Sequence, residues 1–173
     1  SDRFSMNGWF YTGHMRDAHK NGNISFIPNH LHLAAEKRLN NEIPNIYMGN
    51  ATPPDKHGFA SLSLSNVYER RMMEAAELVI IEINSKLPRT FGDVEIHVDD
   101  IDFLVEVDYD IPELVDVKPN EKDMTIGKYI ADYIRDGDCI QLGIGGIPNA
   151  VAASLGEKKN LGVHTEMLTT GIM

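Results

Sequence analysis

Residues 139 to 167 read CIQLGIGGIPNAVAASLGEKKNLGVHTEM. The stretch divides into a short apolar strand, a glycine-rich turn, a small-residue helix and a second short strand that delivers Glu166. Parallel neighbouring strands need a crossover of about a dozen residues or more, right-handed in nearly all cases, and the chain from Gly143 to Gly162 supplies one with a helix inside it. Both strand ends then face the same way. Ligands in open α/β sheets bind outside the carboxyl ends of the strands, and those ends hold Gly143, Gly145 and Gly146 on one strand and Glu166 on the next. The spacing predicts backbone donors beside an acid.

The glycine turn is not a dinucleotide fingerprint. GxGxxG needs glycine at 148, and Pro148 stands there. Proline suits the first turn of a helix because its missing N–H would be an orphan anyway, so Pro148 is expected to open a helix whose free amides, with those of Gly145 and Gly146, favour an anionic or oxyanionic ligand. A tight βα turn without a ligand remains the alternative. His164 and Thr165 before Glu166, and Met167 and Leu168 after it, hold the carboxylate in a short segment rather than in a run of charges.

Working outward, ISFIPNHLHLAAEKRL predicts a strand from Ile24 to Ile27 and a helix begun by Pro28 and Asn29. IYMGN at 46 to 50 is a second strand, TPPDKHGF a turn, and FASLSL alternates as a half-buried strand does. NVYERRMMEAA reads as helix, and LVIIEIN as a strand covered on both faces. This alternation predicts α/β layers. Residues 108–120, DYDIPELVDVKPN, carry two prolines among acids with no clear period, which marks a linker between an α/β lobe at 1–107 and a second at 121–173. In the second lobe Ile126, Tyr129, Ile130, Tyr133 and Ile134 recur on one helical face, with Gly137 as its left-handed cap.

Composition sets outer bounds. With 173 residues, 42% hydrophobic and 24% charged, the chain has enough apolar material for one domain or two small lobes. Sixteen basic residues against 26 acidic ones give a net charge of -10, which argues against nucleic acid as a partner, since phosphate binding needs a basic surface. The one cysteine, Cys139, lies in the apolar CIQL segment, reads as buried core and fits a reducing, cytoplasmic setting. There is no long apolar run and no signal-peptide pattern, so no membrane association is expected.

QLGIGGIPNAV at 141–151 followed by LGVHTEM at 161–167 resembles the signature of the acetyl-CoA hydrolase/transferase family, class I CoA-transferases that include the 4-hydroxybutyrate and butyrate enzymes. PPDKHGFASLSLSNVYERRMMEAAELVIIEIN at 53–84 and LPRTFGDVEIHVDDIDFLVE at 87–106 match the family's pattern as well, so the likeness covers nearly the whole chain. The resemblance implies an α/β fold of open, mostly parallel sheets with flanking helices, and parts of two lobes of a CoA-transferase. Because the family's chains are substantially longer, the sequence is expected to be an internal piece, doubtful in activity alone.

The resemblance also implies roles. Glu166 maps to the catalytic nucleophile, and Gly143, Ile144, Gly145, Gly146 and Ile147 to the turn that contacts CoA and the reacting thioester. Ping-pong transfer through an acyl-glutamyl anhydride and a glutamyl-CoA thioester follows. The expected partners are an acyl-CoA and a short-chain carboxylate, with assembly as a homo-oligomer, and coenzyme A enters as the acyl-CoA substrate. An acyl-CoA hydrolase on the same scaffold, or a CoA-binding fragment inactive alone, stays open beside the transferase. A dehydrogenase fragment is disfavoured by Pro148.

Other polar residues have ordinary explanations. His30 and His32, two apart, would point to different helical faces, and with no Cys or carboxylate cluster near them no metal is assigned. Asp55 and His57 form either an acid–base pair or a turn ahead of Gly58. Asn66 and Arg89 are candidates for a cleft, and His164 reads as a packing residue because the implied mechanism needs no base.

Overall fold

The computed structural model describes residues 4–113 and 115–172. The chain divides into two compact units, Ser1–Ile111 and Pro112–Met173. In the first, chain order runs β1 (Met6–Gly8), α1 (Gly13–Lys20), β2 (Ile24–Phe26), a 3-10 turn (Leu31–Leu33), α2 (Ala34–Asn41), β3 (Ile46–Ala51), β4 (Phe59–Ser61), α3 (Glu69–Ala75), β5 (Leu78–Asn84), β6 (Glu95–His97), a 3-10 turn (Val98–Asp100) and β7 (Phe103–Val107). The second holds α4 (Glu121–Tyr133), β8 (Cys139–Ile140), α5 (Gly146–Ala153) and β9 (Gly162–Val163). The sheets are mostly parallel: β1 with β2, β3–β5–β7 in that order, and β8 with β9, while β4 and β6 pair antiparallel.

In the first unit β5 is the central strand because its branched aliphatic residues tolerate neighbours on both edges. Val79, Ile81 and Ile83 are buried and join Ala51, Ala60, Leu62, Met73 and Ile96 in one core. Burying a side chain such as Ile81 contributes about 1.5–3 kcal/mol. The expectation of cover on both faces is corrected: Leu78, Ile80 and Glu82 are only half-buried, and Glu82 Oε2 accepts the Tyr109 hydroxyl at 2.5 Å. Asn84, 1% exposed, donates to the Tyr109 carbonyl and accepts the Lys86 amide, so its buried amide is satisfied.

FASLSL departs from the expected strand after three residues. Ser63 has φ 60, which stops the ladder, and Ser61 and Ser63 are buried along with Leu62. Hydroxyl bonds make that burial tolerable: Ser61 Oγ donates to the Thr90 carbonyl at 3.0 Å, Ser63 Oγ to the Pro88 carbonyl at 2.7 Å, and Thr90 Oγ1 to the Ser63 carbonyl at 2.7 Å. Pairing to main chain replaces the water these groups lose.

One helix start also differs. Asn29 does not cap α2, since its Oδ1 has no partner among the described residues, and the α-helix begins at Ala34, where Ala34 and Ala35 pack at 1% and 6% exposure. His30 and His32, expected to diverge, lie with ring centroids 5.6 Å apart because the backbone at His30 is extended. By contrast α4 starts on a capping box: Asn120 Oδ1 accepts the Lys122 and Asp123 amides, and Asp123 Oδ2 accepts the Asn120 amide.

In the second unit α4 meets α5 through Gly127 and Ala131, and of the expected apolar stripe Ile134 packs against this core while the two tyrosines do not. Tyr129 and Tyr133 are 66% and 85% exposed, whereas Gly127 is so close that an added Cβ would lie 2.6 Å from the Ala150 carbonyl carbon. Small residues win because only they let the helix backbones approach this far. Gly137 does take a left-handed φ of 85, but α4 ends at Tyr133, so it turns the loop rather than capping the helix. Cys139, expected in the core, is exposed on the two-residue strand β8.

Candidate active site

The turn and the acid occupy one edge of the small second sheet. Cys139 pairs with Gly162 and Ile140 with Val163 in parallel register, and the His164 amide extends the ladder to the Ile140 carbonyl at 3.0 Å. One step further, Thr165 Oγ1 donates to the Leu142 carbonyl at 3.0 Å and lies 3.3 Å from the Met167 carbonyl. Thr165 therefore holds both the end of β8 and the backbone on the far side of Glu166. Glu166 follows at a bend, exposed, without a hydrogen bond or ion pair among the described residues.

Gly145 is the N-cap of α5 with φ 117, a conformation that L side chains rarely adopt, and nothing lies within 4 Å of an added Cβ there. The first helical bond of α5 runs from the Asn149 amide to the Gly145 carbonyl at 3.1 Å. The amides of Gly146 and Ile147 thus stand outside the helical ladder, and Pro148, in the first turn, has none to offer. The turn is not uniform, however. A Cβ on Gly146 would collide with the Asp123 carboxylate, so this glycine is taken up by the packing of the α4 start against the α5 start, while Gly143 meets nothing nearer than Pro148 Cγ at 3.9 Å. The open side of the turn is at Gly143 and Gly145.

A cavity of about 510 Å³ lies beside Gly145, with Ile144, Gly145 and Asn149 on one wall and Met167 to Thr170 on another. Asn149 Nδ2 donates to the Val117 carbonyl at 2.9 Å and so anchors the segment that forms a third wall. Ile147 and Gly143 line a separate cavity of about 340 Å³ with Leu142 and Ile130. Glu166 is not part of either wall.

The remaining candidates are structural in their bonding. Asp55 Oδ1 accepts the amides of His57 at 2.8 Å and Phe59 at 3.0 Å, a turn rather than an acid–base pair. Those bonds, the Phe59 amide first and the His57 amide next, hold its carboxyl below the usual range, with Arg89 adding a weaker pull. Arg89 pairs with Glu95 at 2.8 Å and Asp55 at 3.5 Å and donates to the Phe59 carbonyl. Asn66 bonds the Asp93 carbonyl, and the His164 side chain is exposed. Among the described residues no group of three or more His, Cys, Asp or Glu is arranged to hold a metal ion, and no helix is long and apolar enough to cross a membrane. Sequence reasoning took Thr165 only as a flank of Glu166 and missed its bond to Leu142, and it missed Asn149 and Asp123 altogether. Only Asp123 had a readable signal, the Asn-x-x-Asp spacing of a capping box.

The family model for the acetyl-CoA hydrolase/transferase N-terminal domain matches residues 2–116. The 4-hydroxybutyrate coenzyme A transferase of Clostridium kluyveri is 41% identical over 98% of this chain and 40% of its own length. The succinyl-CoA:cyclohexane-1-carboxylate CoA transferase of Geobacter metallireducens is 36% identical over 97% of the chain and 38% of its own length. Among solved structures, a 4-hydroxybutyrate CoA-transferase from Porphyromonas gingivalis superposes with a TM-score of 0.84 at 30% identity, covering 99% of this chain and 46% of that one. RipA from Yersinia pestis gives 0.89 at 29% identity, over 97% and 41%. The chain spans about 40% of the length of these relatives. With the family model matched over most of its length, the chain belongs to the acetyl-CoA hydrolase/transferase family.

Proposed function

We propose that this protein moves coenzyme A between a short-chain acyl-CoA and a carboxylic acid, with Glu166 as the nucleophile. The observation that carries the reading is the parallel pairing of β8 and β9, extended by the Thr165 bond to Leu142, which sets the start of the glycine turn beside the backbone of Glu166. A carboxylate oxygen is a competent nucleophile toward a thioester. Its attack on the thioester carbonyl expels the CoA thiolate and leaves an acyl-glutamyl anhydride. The thiolate then attacks the glutamyl carbonyl, releasing the free carboxylate and leaving a glutamyl-CoA thioester. A second acid reverses the sequence.

Each attack creates a tetrahedral oxyanion, for which donors of the glycine turn are the candidates. Gly143 and Gly145 border open space, and a backbone donor aimed at such an oxygen contributes roughly 3 kcal/mol in other enzymes. The relatives named 4-hydroxybutyrate coenzyme A transferase, succinyl-CoA:cyclohexane-1-carboxylate CoA transferase and butyryl-CoA:acetate CoA-transferase support an acyl-CoA and a carboxylate as substrates. Incubating the full-length protein with acyl-CoA, then trapping with hydroxylamine or reducing with borohydride before peptide mapping, tests the reading. Label on Glu166 is expected; label elsewhere overturns the assignment. Release of the acid without transfer to acetate would make the protein a hydrolase.

A further inference from the structure

We propose that the cavity of about 510 Å³ beside Gly145 receives the acyl chain and selects an unbranched, uncharged tail, with Ile144 limiting bulk beside the carbonyl and Asp116 turning away a second carboxylate. The proposal rests on the transfer chemistry assigned to Glu166. Gly145 of the turn and Met167, the residue after Glu166, both stand on the wall of this cavity. A carbonyl held between the turn and Glu166 lies at its mouth, and the tail enters from there. The neighbouring cavity of about 340 Å³ is the poorer receptacle. It has no residue from the segment after β9, and Ile134, Ile140 and Leu142 on its wall already pack against the core of the second unit.

The lining specifies the tail. Ile144, Met167 and Leu168 are exposed apolar side chains there, and each gains burial against an aliphatic chain. Ile144 lies in the turn itself, between the two glycines that border open space, so it meets the tail nearest the reacting carbon. Asp116 is the only ionisable residue on the lining, and it has neither an ion pair nor a hydrogen bond among the described residues. A second carboxylate on the tail therefore meets like charge and finds no cation on the wall, whereas an aliphatic tail is unaffected.

Transfer to acetate by the full-length protein is measured as kcat/KM with butyryl-CoA, isobutyryl-CoA and succinyl-CoA, and the ratios between them are read. Ratios cancel a uniform loss of activity. Butyryl-CoA is expected to be the best of the three. Asp116→Asn should raise succinyl-CoA relative to butyryl-CoA about fivefold, the size of one like-charge contact in water, and added salt should narrow the same gap in the parent. Ile144→Ala should raise isobutyryl-CoA relative to butyryl-CoA about tenfold, the effect of one carbon in an apolar pocket. Ile130→Ala, in the neighbouring cavity, should move neither ratio. All three side chains are exposed, so the variants are expected to fold, as circular dichroism would verify. With turnover labelling Glu166, succinyl-CoA as the best substrate, ratios unmoved by Asp116→Asn and Ile144→Ala, or ratios moved by Ile130→Ala would overturn this proposal alone. Absence of transfer with every acyl-CoA, or label on another residue, would overturn the reading of Glu166 and this one with it.

Discussion

The hydroxyl of Thr165 donates to the carbonyl of Leu142 across 3.0 Å and so ties the residue before the glycine turn to the residue before Glu166. Strand β8 has only two residues in the ladder, and so has β9. Two paired residues give little positional control by themselves. The side-chain bond adds the constraint that the short ladder lacks.

Replacing Thr165 with valine keeps the shape and removes the donor. The expected stability loss is about 1 kcal/mol, visible as a small drop in the denaturation midpoint. If the proposed chemistry holds, the rate of thioester turnover falls by far more, on the order of 10²-fold, because misplacement of about 1 Å costs that much. Thr165→Ser should recover most of the rate. Equal losses in stability and rate for both variants would show that the bond has no positioning role.

Gly127→Ala should destabilise the second unit although alanine is the better helix former by about 1 kcal/mol. The added Cβ would meet Ala150 main chain at 2.6 Å, and neither helix backbone can move aside without giving up the contact. Overpacking of this kind costs roughly 1–3 kcal/mol. Urea denaturation of the variant checks the sign.

Acid should weaken the first unit through Asp55. Its carboxyl is held below its ordinary value of 3.8 by the Phe59 and His57 amides, so the folded state binds its proton less readily than the unfolded chain does. The stabilisation is complete above the unfolded pKa and is lost as pH falls through the lowered folded value. Asp55→Asn keeps an acceptor for the amides and removes the charge, so its denaturation midpoint should vary less with acid pH than that of the parent.

At the alkaline end Tyr47 should act in the opposite sense. Burial, with smaller contributions from Glu69 and Tyr68, pushes its phenol from 10.0 up to about 12. The unfolded chain ionises first, so stability is intact below pH 10.0 and declines as pH rises toward 12. Tyr68 and Tyr109 are shifted upward as well, so ultraviolet titration should find several phenols ionising late, and Tyr47→Phe should remove the transition near pH 12.

Much of the fold was legible because it rests on local signals. LVIIEIN announced the central strand, and the Pro148 turn announced α5. The failures share one cause: packing against residues distant in sequence. Cys139 looks like core from its apolar neighbours, yet β8 is too short and too near the surface to bury it. Tyr129 and Tyr133 define the stronger apolar stripe of α4, but Gly127 sets the contact with α5 because interhelical distance follows from the smallest side chains, which hydrophobic periodicity ignores.

For the candidate site, the sequence alone determined the ingredients and their order: a strand, a glycine turn closed by proline, a crossover of sufficient length and a second strand ending at Glu166. Chain handedness and the minimum crossover length then left parallel neighbours as the natural arrangement. Only the tertiary structure decided which glycines remain open. Gly146 is engaged by Asp123 from a helix more than twenty positions earlier, Gly143 and Gly145 face free space, and Thr165 bridges to Leu142. Such contacts depend on distances between elements, and those distances are set by how closely side chains pack, a quantity that no local pattern of residues encodes.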